Sequence, residues 1–193
     1  MKHVIFDVDG VLVNSAEANW ISLQETMRFF DFHITDDPVL HLPIPTTAKI
    51  KHLEQTQNRL LTDIERVAFT DLKFSKLLSM FGHISFNDGA KACVCRLLSN
   101  NINISYVSNA RVQYINMIVK TMNLPPGSYI LGNDSGFAHK PSADMFLHIA
   151  KAEQLSPGEM LVVDDEMLNL ESAKSFGFST FKVNSFDDLQ RIR

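Results

Sequence analysis

Asp7 and Asp9 stand one residue apart in the stretch VIFDVDGVLVNS, directly after the apolar run Val4, Ile5 and Phe6. Carboxylates at the end of a buried strand are expensive unless something positive meets them. Three other chemistry-bearing groups fall at comparable places. Ser108 and Asn109 follow the apolar run ISYV, Lys140 precedes Pro141, and Asp164 and Asp165 follow MLVV. If the apolar runs are parallel strands, their ends gather these groups in one crevice. Carboxylates gathered there repel one another and raise each other's pKa. A divalent cation removes that conflict, and Mg²⁺ suits a site of a few carboxylates, waters and a phosphate. A lysine and a hydroxyl alongside would hold the remaining phosphate oxygens. One carboxylate is then left to attack, so the chemistry implied is phosphoryl transfer.

The elements that must position these groups have a clear rhythm from Asn87 onward. Asn87 reads as the N-cap of a helix presenting Ala90, Cys93, Val94, Leu97 and Leu98 on one face. Strand 102–107, a helix from about Arg111 to Met122 and a break at 125–127 follow. Then come strand 128–131, helix 142–154, a turn at Pro157 and Gly158, and strand 160–163. Helix 168–176 with Gly177 as its C-cap, strand 179–183 and a short terminal helix complete the pattern. Alternation of this kind means an α/β fold, a Rossmann-like, doubly wound parallel sheet with helices on both faces. Residues 15–86 differ: they carry helical patterns and no convincing strand, and Pro38, Pro43 and Pro45 separate the first two helices. The organisation expected is therefore an α/β core from 1–14 and 87–193 with an all-helical insertion at 15–86. Ligands in open parallel sheets bind beyond the carboxyl ends of the strands. An insertion directly after the first strand is expected to sit over that crevice.

Composition narrows the class. A chain of 193 residues suits a core domain with one insertion better than two independent domains. The net charge of −4 gives no electrostatic footprint for nucleic acid or an anionic membrane. No apolar run approaches a membrane span, and Asp7 and Asp9 would interrupt any secretory h-region. Cys93 and Cys95, two apart on a helix, read as reduced core thiols of a cytoplasmic protein. The seven histidines show no ligand spacing and read as surface or partly buried groups. Trp20 with Phe29, Phe30 and Phe32 reads as the insertion's core. Thr46, Thr47 and Lys49 are candidates for meeting substrate, with helix capping by either threonine as the alternative.

The segments DVDGVL, VSN, KP and VVDDEMLNLESAKSFG resemble, in order and spacing, the four motifs of the haloacid dehalogenase superfamily, most of whose members are phosphatases. The insertion matches the position of that family's helical C1 cap, and PIPTTAKIKHL is similar to a run found in many such caps. The resemblance implies roles. Asp7 would be the nucleophile that forms an aspartyl-phosphate. Asp9 would be the general acid and then the base, its main-chain carbonyl also touching Mg²⁺ beside the Asp7 side chain. Asp165 would be the other protein ligand of the metal, and Asp164 a ligand or a partner behind it. Ser108 would bind the phosphoryl group with Asn109 beside it, and Lys140 would neutralise charge on the nucleophile and the transferring group. An aspartate at the position of Asp9 also favours phosphoester chemistry, because the dehalogenating members lack it.

The reading expected from all this is a Mg²⁺-dependent phosphatase of a small phosphorylated metabolite, with no nucleic-acid or membrane partner. Asn14, Glu166 and Asn169 depart from common forms of the pattern at positions away from the nucleophile and acid. Asn19 stands where phosphosugar mutases of the same cap type carry histidine, which favours hydrolysis over the mutase alternative. A signalling receiver domain shares the acidic cluster, but places its acidic pair first and carries no such insertion. A silent phospho-ligand-binding protein is the remaining alternative, disfavoured by the intact Asp7, Asp9, Lys140 and Asp165.

Overall fold

A computed structural model describes residues 1–42 and 44–192. Within it the chain divides into two compact units, one formed by Met1–Asn14 with the stretch from Ser85 onward, the other by Ser15–Ile84.

The α/β unit is built on a five-stranded parallel sheet. Its strands are β1 (His3–Phe6), β4 (Asn103–Val107), β5 (Tyr129–Leu131), β6 (Met160–Asp164) and β7 (Ser179–Lys182), in spatial order β5-β4-β1-β6-β7. β1 is wholly buried, as a near-continuous apolar run in a sheet covered on both faces requires. The connecting helices are α5 (Asp88–Ser99), α6 (Val112–Thr121), α7 (Asp144–Ala152) and α8 (Met167–Ser175). Asn87 does cap α5, its side chain accepting from the Gly89 N–H at 3.0 Å. Gly177 follows α8 at φ +90°, a left-handed conformation that ends the helix without a Cβ clash. One side of the core packs Ile5, Val107 and Val162 against Phe146, Ile149 and Leu170. The chain leaves β1 for β4 and β5 on one side, then crosses to β6 and β7 on the other. The carboxyl end of β1 is therefore flanked by two strands reached by opposite windings, where parallel sheets form their crevices.

Two details differ from the sequence reading. Ser85–Phe86 is a strand, β3, paired antiparallel with β2 (Val13–Asn14). Two residues are too few for a period-2 pattern to show, which is why no strand was legible there. The terminal helix is a 3₁₀ segment, Phe186–Arg191, held by Asp188 accepting from the Asn184 and Ser185 N–H groups.

The helical unit contains α1 (Ala16–Phe29), a one-turn α2 (Pro38–His41), α3 (Thr46–Gln57) and α4 (Asp63–Ser79). A capping box between Thr62 and Glu65 starts α4. Leu23, Met27 and Phe30 pack with Ile50, Leu53 and Phe69 in its core. Phe32 is buried there too, whereas Phe29 is exposed and Trp20 half-buried against the His41 ring. Pro43, one of the three prolines expected to separate helices, lies outside the described residues. Among the described residues no helix is long and apolar enough to cross a membrane.

Of the two cysteines, both free, Cys93 is buried and Cys95 is exposed on the outer face of α5, so only the first is a core thiol. His3 also departs from expectation. It is fully buried in β1, its Nε2 2.8 Å from the Ser105 hydroxyl.

Candidate active site

The parallel register places the groups singled out above at one level of the sheet. Phe6 pairs with Tyr106 on one side and Val163 on the other, so Asp7, Val107 and Asp164 come one step later on adjacent strands. Asp7 remains tied to the ladder, its N–H donating to the Val163 carbonyl at 2.8 Å. Its side chain is 8% exposed and accepts from the Val8 N–H at 2.7 Å. Lys140 arrives from the segment between β5 and α7 and ends between two carboxylates. Its Nζ lies 2.9 Å from Asp7 Oδ1 and 2.8 Å from Asp164 Oδ2, with all three side chains buried.

That triad supplies the positive charge that a buried carboxylate at the end of β1 requires. Burial pushes the Asp7 carboxyl well above its ordinary range, Lys140 pulls it back, and Asp164 adds to the push. Burial works to neutralise Lys140 as well, yet Asp7 and Asp164 together hold it charged, with its pKa raised. Asp165 is half-buried and pushed up to about 6, by burial first and Asp164 second.

Oxygens of Asp7, Asp164 and Asp165 lie within 4.8 Å of one another. One ammonium among three carboxylates leaves the cluster short of positive charge, and an all-oxygen donor set of this kind suits a hard divalent cation. Asp164 is the most fully engaged of the three. Besides Lys140, it accepts from the Glu166 N–H at 2.8 Å and from the Asn169 amide at 3.0 and 3.1 Å. Asp165 has a different neighbour. Gly10 adopts φ +81°, and a Cβ built on it would fall 2.0 Å from Asp165 Oδ2. The glycine of DVDG is thus required twice, by its backbone conformation and by the space that the Asp165 carboxylate occupies.

The Asp9 carboxylate meets hydroxyl groups on both of its oxygens. The Tyr114 hydroxyl donates to Oδ1 at 3.0 Å and the Ser108 hydroxyl lies 3.3 Å from Oδ2. Ser108 Oγ also accepts the Ala110 N–H at 3.0 Å. Asn109 sits beside Ser108, but its amide is spent on Lys140: Oδ1 accepts the Lys140 N–H at 2.9 Å and Nδ2 donates to the Lys140 carbonyl at 3.0 Å. This pair of bonds fixes the backbone that delivers the lysine, just before the cis peptide to Pro141.

The structure therefore brings Asp7, Lys140, Asp164 and Asp165 into one cluster, and joins Asp9 to Ser108. Two contributors escaped the sequence reading. Tyr114 is helical and apolar-faced, so its pattern matches a core residue, and only the approach of α6 to β1 reveals its hydroxyl. Asn169 departs from the common form of its motif and so carries no role in the sequence reading, whereas its amide braces Asp164.

Within the helical unit, Asn19 accepts from Lys73 Nζ at 2.5 Å and donates to Ser15. Thr46 and Thr47 do not cap α3 through their side chains, because Pro45 occupies the N-cap position without a side-chain bond. Lys49 donates to the Leu40 carbonyl at 2.5 Å, and burial lowers its pKa to about 8.

Known proteins resemble this chain in sequence and in fold. The profile describing haloacid dehalogenase-like hydrolases matches residues 4–183. Beta-phosphoglucomutase of Bacillus subtilis (strain 168) is 23% identical over 186 residues, 92% of this chain and 80% of that protein. The crystal structure of beta-phosphoglucomutase from Clostridium difficile superposes with a TM-score of 0.81 at 18% identity, covering 99% of this chain and 88% of that one. CbbY from Rhodobacter sphaeroides, solved with phosphate, gives 0.79 at 16% identity over 93% of this chain and 84% of its own. At such identities the structural likeness establishes the fold.

Proposed function

Because the chain belongs to the haloacid dehalogenase-like hydrolase family and is an enzyme of phosphoryl transfer or hydrolysis, we propose that it is a Mg²⁺-dependent phosphatase of small phosphorylated metabolites, working through an aspartyl-phosphate on Asp7. The observation that carries this reading is the pairing of a buried Asp7 with Lys140 while Asp9, two residues on, meets the hydroxyls of Ser108 and Tyr114. The first carboxylate has the lysine's charge beside it, as a nucleophile needs, and the second has hydroxyl neighbours suited to a group that transfers protons.

Asp7 attacks phosphorus, and the ester oxygen leaves with the bonding pair and takes a proton from Asp9. Asp9, now ionised, removes a proton from water. The oxygen of that water forms the new bond to phosphorus, and the Asp7 carboxylate departs. Lys140 holds charge on Asp7 and on the transferring oxygens, while the Ser108 hydroxyl supplies a hydrogen bond to the phosphoryl group. Asn109 and Asn169 position Lys140 and Asp164 rather than meeting substrate. The residues fit a Mg²⁺ ion held by the carboxylates of Asp7 and Asp165 and the main-chain carbonyl of Asp9, with Asp164 behind them. When bound, it would supply positive charge against the phosphoryl oxygens. The helical unit is inserted in the chain directly after the nucleophile strand, which supports assigning it to substrate selection.

A mutase reading draws on the relatives' names. Asn19 stands where phosphosugar mutases of the same cap type carry histidine, and this favours hydrolysis, since an amide cannot take up and return a proton as an imidazole can. Phosphate release from a panel of sugar phosphates, phospho-acids and nucleotides, with Mg²⁺ and with EDTA, tests the proposal on wild type and Asp7→Asn. Metal-dependent release that vanishes in Asp7→Asn is expected. Interconversion of hexose 1- and 6-phosphates without net release would establish the mutase instead.

A further inference from the structure

The acid–base role of Asp9 requires its carboxylate to keep one place through two proton transfers in opposite directions. We propose that Tyr114 is the residue that positions it, anchoring Oδ1 so that Oδ2 is the oxygen that carries the proton. The inference rests on the phosphatase reading above and extends it to a residue outside the four motifs.

Tyr114 is wholly buried on α6, and its phenol reaches Asp9 Oδ1 at 3.0 Å. A buried aromatic side chain packed on a helix has little rotamer freedom, so the hydroxyl is a fixed donor. Ser108 reaches the opposite oxygen at a longer 3.3 Å, and its own Oγ is already held by the Ala110 N–H. The two contacts respond differently to protonation. With the proton on Oδ2, Oδ1 is a carbonyl oxygen and still accepts from Tyr114, so that bond survives in both states. Oδ2 carrying hydrogen competes with the Ser108 hydroxyl. Ser108 is then released to donate to the phosphoryl group, which needs that donor at the same moment.

In the first half-reaction the bond from Asp7 to phosphorus forms and the phosphorus–oxygen ester bond breaks. The departing pair takes the proton from Oδ2, giving alcohol and aspartyl-phosphate. In the second, Oδ2 accepts a proton from water as the water oxygen bonds to phosphorus and the Asp7 oxygen leaves, restoring the starting protonation. Tyr114 donates to Oδ1 throughout and exchanges no proton.

The test compares wild type, Tyr114→Phe, Asp9→Asn and the double variant on 4-nitrophenyl phosphate and on an alkyl phosphate, with circular dichroism to check the fold. For Tyr114→Phe, kcat on the alkyl ester should fall about 10-fold or more, because that leaving group needs a well-placed proton. On the aryl ester the fall should stay below about 3-fold, with KM changed less than about 2-fold on either substrate. In the Asp9→Asn background, Tyr114→Phe should cause no further loss. Equal losses on both esters, additive losses in the double variant, or no loss would overturn the inference while leaving the phosphatase reading standing. A folded wild type that hydrolyses neither these esters nor any member of the metabolite panel would remove both.

Discussion

Replacing Lys140 by methionine isolates the electrostatic balance of the site. The substitution keeps a long apolar stem and removes the ammonium that lies 2.9 Å from Asp7 and 2.8 Å from Asp164. The two carboxylates are left unequally supported. Asp164 retains the Glu166 N–H and the Asn169 amide, while Asp7 retains the Val8 N–H. Breaking a buried ion pair from one side costs about 3–5 kcal/mol, most of it the uncompensated charge left behind. That is a large share of the roughly 5–15 kcal/mol by which a folded protein is stable. At about 2–4 °C per kcal/mol in a chain of this size, the melting temperature should fall by roughly 6–20 °C.

The sign of the pH dependence follows from Asp7. Its pKa in the fold is already raised above the ordinary 3.8, so above that value the folded state retains a proton that the unfolded chain has lost. Stability tied to Asp7 is therefore present at low pH and declines as pH rises through the raised value. Loss of Lys140 removes the main influence opposing that rise. The deficit of Lys140→Met relative to wild type should thus shrink on going from pH 8 to pH 5, by at most about 1.4 kcal/mol per pH unit for one proton. Denaturant titrations in EDTA, followed by circular dichroism, measure this directly. Trp20 is the sole tryptophan and belongs to the helical unit, so its fluorescence reports that unit separately. A loss below about 1 kcal/mol, the scale of an exposed ion pair, with the same value at every pH, would refute the reasoning.

Gly10→Ala should lower stability by about 1–2 kcal/mol from the left-handed backbone alone. It should also weaken Mg²⁺-dependent thermal stabilisation, because the new Cβ displaces the Asp165 carboxylate. Unchanged Mg²⁺ stabilisation would show that Asp165 does not hold the ion. His3 is kept below its ordinary 6.5, chiefly by burial, against an opposing pull from Glu153. Unfolded chains then take up that proton first as pH falls, so stability tied to His3 is intact above 6.5 and declines below it. Denaturation midpoints at pH 7.5 and 5.5 should show a smaller acid-side loss for His3→Leu than for wild type, and parallel losses would contradict this.

The sequence determined the parallel α/β class and the motif residues by itself, because both are written in local patterns. Buried strands such as β1 and β6 are continuous apolar runs, and α5 carries its cap in Asn87 and its face at helical spacing. Asp7, Asp164 and Asp165 were legible because they stand where such runs end, and Lys140 because a proline follows it ahead of a helix. The ribbon between β2 and β3 was not legible, since two-residue strands are specified by their partners. The division of labour within the site belonged to tertiary structure as well. Which carboxylates share the lysine, that Asn109 spends its amide on the Lys140 backbone, and that a tyrosine from α6 reaches Asp9 all depend on side chains far apart in sequence. Hydrogen bonds of about 3 Å between residues 31 and 105 positions apart leave no periodicity in a chain. Only the packing of helices onto the sheet decides them.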